Sequence, residues 1–94
     1  MIIVYSKNIV KLDKFSEMLP LVEKLVAESR KEDGCIEYFF TKADGAENEY
    51  AFIEKWESKE ALELHRKTPH FIELVPKITE FRESSALTIY EIVL

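Results

Sequence analysis

The chain opens with a run of β-branched and aromatic residues that predicts a strand over Ile2 to Val10. Successive side chains of a strand point to opposite faces, so the run can be sorted by position. One face carries Ile2, Val4, Ser6 and Asn8, and the other carries Ile3, Tyr5 and Lys7. The first face therefore combines apolar residues with two polar ones.

A helix is predicted next, from Asp13 to about Lys31, because apolar residues recur three and four positions apart. The recurring residues are Phe15, Met18, Leu19, Val22, Leu25 and Val26. Asp13 is expected to cap this helix and Gly34 to stop it. Pro20 lacks the amide proton that a helix needs, so a kink or irregular early turns are expected there.

Two further strands are predicted over Cys35 to Lys42 and Tyr50 to Glu57, where aromatic and β-branched residues are frequent. The stretch between them, Ala43 to Glu49, is rich in turn formers, so the two strands should form a hairpin.

The last third of the chain predicts two short helices and a strand. Ser58 is expected to cap a helix that runs through Lys67, and Thr68 followed by Pro69 to begin another, which Pro76 should bend or shorten. The apolar face of the second helix carries Phe71, Leu74, Val75 and Ile78. A final strand is predicted over Ala86 to Leu94.

This order of elements is the split β-α-β pattern of ferredoxin-like α+β domains, and it predicts a single domain over residues 1–94. Helices cover only one face of such a four-stranded sheet, so apolar residues on the other face need a cover. A second copy that packs sheet to sheet would supply it, and we therefore expect a homodimer.

Composition and charge narrow the range of partners. The net charge is −5 and the basic residues are scattered, so nucleic acid is not an expected partner. No apolar run approaches the roughly 20 residues of a membrane span, and the strand-like residues after Met1 do not resemble a signal peptide. The single Cys35 cannot form an internal disulfide, which favours a reducing, cytoplasmic location.

The segment from Glu54 to Leu62, followed by His65 and by Thr68 to Phe71, resembles the signature segment of antibiotic biosynthesis monooxygenase domains. Its landmarks are a Glu-x-Trp, an Ala-Leu pair, a His and a Pro-His-Phe, and all occur here in that order. The stretch Ser29 to Tyr38 is similar to the family's turn from the first helix into the second strand.

The resemblance implies a dimeric α+β barrel of ferredoxin-like subunits, each with a cavity between sheet and helices. It also implies oxidation of a small quinol or hydroxylated aromatic with dioxygen and without a metal or flavin. Relatives degrade haem or act on small sugar-like signals, since one fold hosts several reactions. A non-catalytic binding dimer, a haem-degrading enzyme and a sugar-signal isomerase therefore stay open as alternatives.

Histidines are the first candidates for the chemistry. His65 is the candidate catalytic residue, because such an oxygenase deprotonates its substrate and an imidazole exchanges protons near neutral pH. The alternative is a half-buried histidine bonded to backbone. His70 is a candidate substrate-binding residue at a helix start, where the helix dipole favours neutral imidazole. Its alternative is an exposed residue without function.

The other candidate substrate-binding residues are aromatic or amide side chains. Trp56 could form a flat wall for an aromatic ligand, Asn8 could point a polar group inward, and Tyr38 and Phe71 could line the cavity, with core packing as the alternative. Glu54 shares the strand face of Trp56, but a place at a strand edge or a pair with an Arg or Lys is expected for it.

No metal or other cofactor is expected. Two histidines five positions apart with no Cys nearby do not indicate a metal site, which needs three or more converging ligands. Cys35 has no adjacent histidine and is not expected to act as a nucleophile. An isomerase would need a basic anchor, for which Lys7, Lys42 and Arg66 are available.

Overall fold

The computed structural model describes residues 1–94 and contains four strands and three helices. The elements are β1 (Ile2–Val10), α1 (Phe15–Ser29), β2 (Cys35–Lys42), β3 (Glu49–Trp56), α2 (Lys59–Arg66), α3 (Pro69–Thr79) and β4 (Arg82–Glu91). The strands form one antiparallel sheet in the order β2-β3-β1-β4. The predicted ferredoxin-like α+β fold is confirmed, with its second helical region divided into α2 and α3.

The helices cover one face of the sheet, and burial along β1 alternates accordingly. The buried residues of β1 are Ile2, Val4, Ser6, Asn8 and Val10. They pack with residues of α1 and α3 around Trp56, whose exposed fraction is 0%. The face predicted from the sequence as the mixed apolar and polar one is thus the interior face.

The opposite face of the sheet is bare. Tyr5, Ile53 and Phe39 lie beside one another in register across β1, β3 and β2. Ile53 is 39% exposed and Phe39 is 45% exposed. Beyond β1, residues 83–91 of the edge strand β4 are exposed on both faces. An apolar row therefore crosses the centre of an uncovered sheet.

The predicted start of α1 is wrong. Asp13 has a φ of 64°, a left-handed conformation that Asp tolerates, and α1 begins at Phe15 without a side-chain cap. The helix continues through Pro20 and ends at Ser29, so the proline does not interrupt it. The predicted caps of α2 and α3 are confirmed, because the hydroxyls of Ser58 and Thr68 accept backbone N–H bonds.

Gly34 is not the stop signal of α1, which ends at Ser29, and its φ is not positive. A Cβ at Gly34 would overlap the Cβ of Ala61 in α2. The carbonyl of Gly34 also accepts a hydrogen bond of 2.9 Å from the N–H of Glu57, directly before α2. Glycine is therefore required here for the close approach of α2, not for turning the chain.

The last strand begins earlier than predicted and ends earlier. β4 spans Arg82–Glu91 instead of Ala86 to Leu94, and a register shift lets Arg82 pair with Val10. The helix before it continues past Pro76 to Thr79, so Pro76 does not shorten α3. Arg82 is thereby part of the sheet. No helix is long and apolar enough to cross a membrane.

Candidate active site

A cavity of about 210 Å³ lies between the sheet and helices α1 and α3. Its apolar wall is formed by Leu25, Tyr38, Phe52, Phe71, Val75, Ile78 and Leu87. Its polar lining consists of Ser6, Glu54, Arg82 and Ser85. The volume is below the roughly 300–1,000 Å³ of pockets for drug-sized ligands, so the cavity suits a small, largely apolar molecule.

Glu54 is the carboxyl group that lines this cavity. It lies on β3 opposite Val4, is only 6% exposed and has no basic partner within ion-pair distance. Burial raises its pKa to about 7, although the hydrogen bond from Trp56 and the charge of Arg66 both lower it. Glu54 lies on the interior strand β3 and forms no ion pair, so the expectation that it lies at a strand edge or pairs with an Arg or Lys is wrong.

Trp56 holds the carboxyl of Glu54 in place. Its Nε1–H donates to Glu54 Oε1 over 2.9 Å, and its ring lies 4.5 Å from that of His65, centroid to centroid. Trp56 is fully buried and does not line the cavity, so it is not the flat wall that was predicted. It acts on the cavity through Glu54, whose second oxygen, Oε2, receives no hydrogen bond from the protein.

Asn8 holds Arg82 in a similar way. Asn8 is 1% exposed, donates from Nδ2 to the carbonyl of Ser6 over 2.9 Å, and accepts from Arg82 Nη1 over 2.6 Å. Thr79 Oγ1 accepts from Arg82 Nη2. Asn8 points inward as predicted, but it does not line the cavity, whereas Arg82, to which it is hydrogen-bonded, does.

His65 and His70 share one carboxylate oxygen. His65 Nδ1 lies 2.6 Å and His70 Nε2 lies 2.8 Å from Glu32 Oε2, in the segment between α1 and β2. A carboxylate only accepts, so both ring nitrogens donate. Burial lowers the pKa of His65 more than Glu32 raises it, so His65 is neutral at pH 7 and its proton resides on Nδ1. Neither histidine lines the cavity.

Glu32, His65 and His70 are also the residues that could hold a metal ion, since one ligand atom of each lies within 4.8 Å of the others. Only the two histidines are close together in the sequence, because Glu32 lies 33 positions from His65. The three groups already satisfy one another by hydrogen bonds, so their approach needs no ion to explain it. The absence of a metal stays a prediction.

Sequence and structure comparisons decide the family. The sequence profile of the family described as "Antibiotic biosynthesis monooxygenase" matches residues 1–77. The chain belongs to this family.

The chain is also similar to individual proteins over most of its length. The chain is 38% identical over 92 residues to the protein sll1783 of a Synechocystis strain, covering 96% of this chain and 63% of that protein. A crystal structure of a conserved protein from Methanosarcina mazei Go1 has a TM-score of 0.93 at 31% identity, covering 96% and 90% of the two chains. A crystal structure titled "antibiotic biosynthesis monooxygenase" has a TM-score of 0.93 at 28% identity, covering both chains fully.

The fold places only some of the predicted site residues at the cavity. Tyr38 and Phe71 line the cavity as predicted, whereas Asn8, Trp56, His65 and His70 lie behind its wall. His65 is the central packing contact of that second layer, with ring centroids of Phe71 and Tyr38 at 5.1 Å and 5.7 Å. Burial raises the pKa of the Tyr38 phenol, which therefore stays protonated at the wall.

Two charged residues of the cavity, Glu54 and Arg82, were not predicted from the sequence. Glu54 had a usable signal, because it precedes the buried Trp56 by two positions and must share its face. Arg82 had none, because the final strand was predicted to begin four residues later.

The only cysteine lies close to the same region. Cys35 is half-buried at the start of β2, and burial raises the pKa of its thiol to about 11, with Glu32 and Glu54 adding to the effect. The prediction that Cys35 is not a nucleophile fits this thiol, which stays protonated at neutral pH.

Proposed function

We propose that the cavity oxidises a small quinol or hydroxylated aromatic compound with dioxygen, without a metal or flavin. One observation supports this above the others: a buried carboxyl, Glu54, with a pKa of about 7 faces an aromatic-lined cavity. A base that titrates near neutral pH removes a phenolic proton most effectively.

The proposed reaction needs only this base and the substrate's own electrons. Glu54 takes the phenolic proton, and the phenolate transfers an electron to dioxygen. Recombination of the two radicals forms a peroxide anion on a ring carbon, and Glu54 returns its proton to convert this anion into a hydroperoxide. Loss of water then leaves one oxygen atom on the ring, so that quinol and dioxygen give a hydroxyquinone and water.

His65, predicted as the proton acceptor, has a different role in this proposal. Its imidazole is 1% exposed, and its Nδ1–H is committed to Glu32. We assign it the positioning of Trp56 and Phe71, which it contacts from behind the cavity wall. Haem degradation is not favoured, because a haem-ligating histidine must face the haem pocket.

Oxygen uptake tests the proposal directly. A panel of one-ring and two-ring quinones and hydroxylated aromatics, with and without a carboxylate substituent, is reduced anaerobically, the protein is added with air, and dioxygen consumption is recorded together with hydrogen peroxide. Monooxygenation consumes one dioxygen per quinol, releases no peroxide and places one atom of ¹⁸O₂ in the product. Simple oxidation of the quinol releases one peroxide per dioxygen. Uptake no faster than the spontaneous rate across the panel would contradict the proposal.

A second function is favoured by Arg82. Isomerisation of a small anionic, sugar-like compound needs a basic anchor, and Arg82 lines the cavity whereas Lys7, Lys42 and Arg66 do not. Such an enzyme would consume no dioxygen, so the uptake experiment separates the two functions.

A homodimer is the assembly that this fold favours. Phe39, Ile53 and Tyr5 form an apolar row on the bare face of the sheet, with the charged residues Lys7 and Lys55 on the same face. An exposed apolar row with a polar border is typical of a protein interface, and a two-fold axis lets one such surface cover another.

The substitution Ile53→Glu should prevent this association. It places a charge at the centre of the row without entering the helix-covered core, so the subunit should still fold. Sedimentation should give twice the 11.0 kDa chain mass for the wild type and 11.0 kDa for the variant. Leu64→Glu on α2, at a residue that is 67% exposed, is the matched control and should remain a dimer. A wild-type monomer at tens of micromolar would contradict the assembly.

A further inference from the structure

Arg82 is a cation of the cavity that no carboxylate neutralises. Arg82 lines the cavity together with Ser85 and Leu87, and no Asp or Glu oxygen lies within ion-pair distance of its guanidinium. Two of its nitrogens donate to neutral acceptors, the amide of Asn8 and the hydroxyl of Thr79. Its Nε is buried and has no hydrogen-bond partner.

Without a ligand, the partly buried charge and unpaired N–H donors of Arg82 cost the folded protein free energy. Burial lowers the pKa of Arg82, and no acidic neighbour offsets the effect. A guanidinium has five N–H donors. Two of them donate to Asn8 and Thr79, so three N–H groups have no acceptor in the protein. A buried donor without a partner costs free energy that an acceptor would recover. Asn8 and Thr79 fix the orientation of the group, so it is preorganised for such an acceptor.

Glu54 is not that acceptor. It faces Val4 on β1, whereas Arg82 is held by Asn8, and these two β1 residues are four positions apart. At 3.2–3.4 Å per residue, their backbones are separated by about 13 Å. The carboxyl and the guanidinium therefore lie toward opposite ends of the cavity, with Ser6 and Phe52 between them.

We infer that the ligand of this cavity carries an oxyanion, a carboxylate or a phosphate, that binds Arg82 while its hydroxylated ring lies toward Glu54. The inference rests on the cavity of the proposed function and specifies its substrate class: a small aromatic acid, not a neutral quinol. A planar guanidinium with free donors matches a carboxylate or phosphate by two parallel hydrogen bonds. The aromatic residues Phe52 and Phe71 supply the apolar contact for the ring between the two ends.

Binding measurements test the inference without requiring turnover. The probes are 6-hydroxy-2-naphthoate, the neutral 6-hydroxy-2-naphthamide and 2-naphthyl phosphate, titrated calorimetrically into the wild-type protein and into Arg82→Gln, Arg82→Lys and Lys77→Gln. Lys77 is an exposed cation on α3 that pairs with Glu73, and it serves as the matched control.

The wild type should bind the carboxylate at least about tenfold more tightly than the amide, a difference that one charge-assisted hydrogen-bonded pair provides. Arg82→Gln should reduce this preference to twofold or less, Arg82→Lys should retain part of it, and Lys77→Gln should leave it unchanged. Preference for the phosphate over the carboxylate would assign the oxyanion to a phosphoryl group.

Equal affinity of the wild type for acid and amide, or binding of neither, would overturn the inference, as would a preference that survives in Arg82→Gln. The comparison of acid and amide on the wild type stands even if Arg82→Gln fails to fold. If only the proposed function is wrong, the protein still binds the acid more tightly than the amide but shows no oxygen uptake. Turnover of neutral quinols without any preference for acids would overturn the inference alone.

Discussion

Replacing Glu54 by Gln should lower the rate of oxygen uptake by about 100-fold or more, within the range that a positioned general base contributes. The amide can still accept the Trp56 N–H bond but cannot take a proton. In the wild type, uptake should fall as the pH falls through about 7, because the carboxyl with the raised pKa becomes protonated. The measurement is the pH profile of kcat/KM for the best substrate of the panel.

Trp56→Phe is the companion variant, because it keeps an aromatic ring but removes the N–H that lowers the pKa of Glu54. The midpoint of the pH profile should therefore move to higher pH. An unchanged midpoint, or a Glu54→Gln variant with wild-type uptake, would assign proton removal to another group.

Glu54→Gln should also change how the free energy of unfolding depends on pH, and this measurement shows that the variant is folded. The pKa of Glu54 is higher in the folded protein than its ordinary value of 4.5, so the folded state binds its proton more tightly. The contribution of the Glu54 carboxyl to the free energy of unfolding is fully present below about pH 4.5 and is lost as the pH rises to about 7. Glu54→Gln should consequently be the more stable protein at pH 8, by on the order of 3 kcal/mol.

Replacing Gly34 by Ala should destabilise the fold by about 3 kcal/mol, the upper end of what overpacking costs. The added methyl group would overlap Ala61 Cβ, which belongs to a helix and cannot rotate away. For a domain of this size each kcal/mol lowers the midpoint of thermal unfolding by roughly 4–8 °C. Thermal unfolding at fixed protein concentration measures the effect.

Ala61→Gly in the Gly34→Ala background provides the test of mechanism. Removing the second methyl group reopens the contact, so the double variant should regain most of the lost stability, less about 1 kcal/mol for glycine inside a helix. If the double variant is no more stable than Gly34→Ala, the cost arises from the backbone at Gly34 and the packing explanation is wrong.

Local patterns predicted most of the fold. The spacing of Met18, Val22 and Leu25 defines the buried face of α1, and Ser58 and Thr68 cap their helices as expected. The errors fall at element ends, where tertiary contacts decide. Gly34 looks like a helix stop in the sequence, yet its function depends on Ala61, 27 positions later. Arg82 joins the sheet because Val10 pairs with it.

The candidate site was harder to predict than the fold. A family signature identified Trp56, His65 and His70, but it could not separate groups that line the cavity from groups behind its wall. That distinction depends on which side of a helix meets the sheet, and on long-range partners such as Glu32 and Asn8. The raised pKa of Glu54 likewise comes from burial, which appears only after the chain folds. The homodimer, the substrate and the cytoplasmic location stay predictions.

The raised pKa of the Cys35 thiol should protect this residue from oxidation. With a pKa of about 11, roughly one thiol in ten thousand is ionised at pH 7, and the ionised form is the nucleophile that attacks peroxides and disulfides. The sulfur atom lies near Glu54, whose charge raises its pKa. The sole sulfhydryl of the chain should thus resist oxidation to sulfenic acid even where hydroperoxides form, and two copies of the protein should not become cross-linked through it.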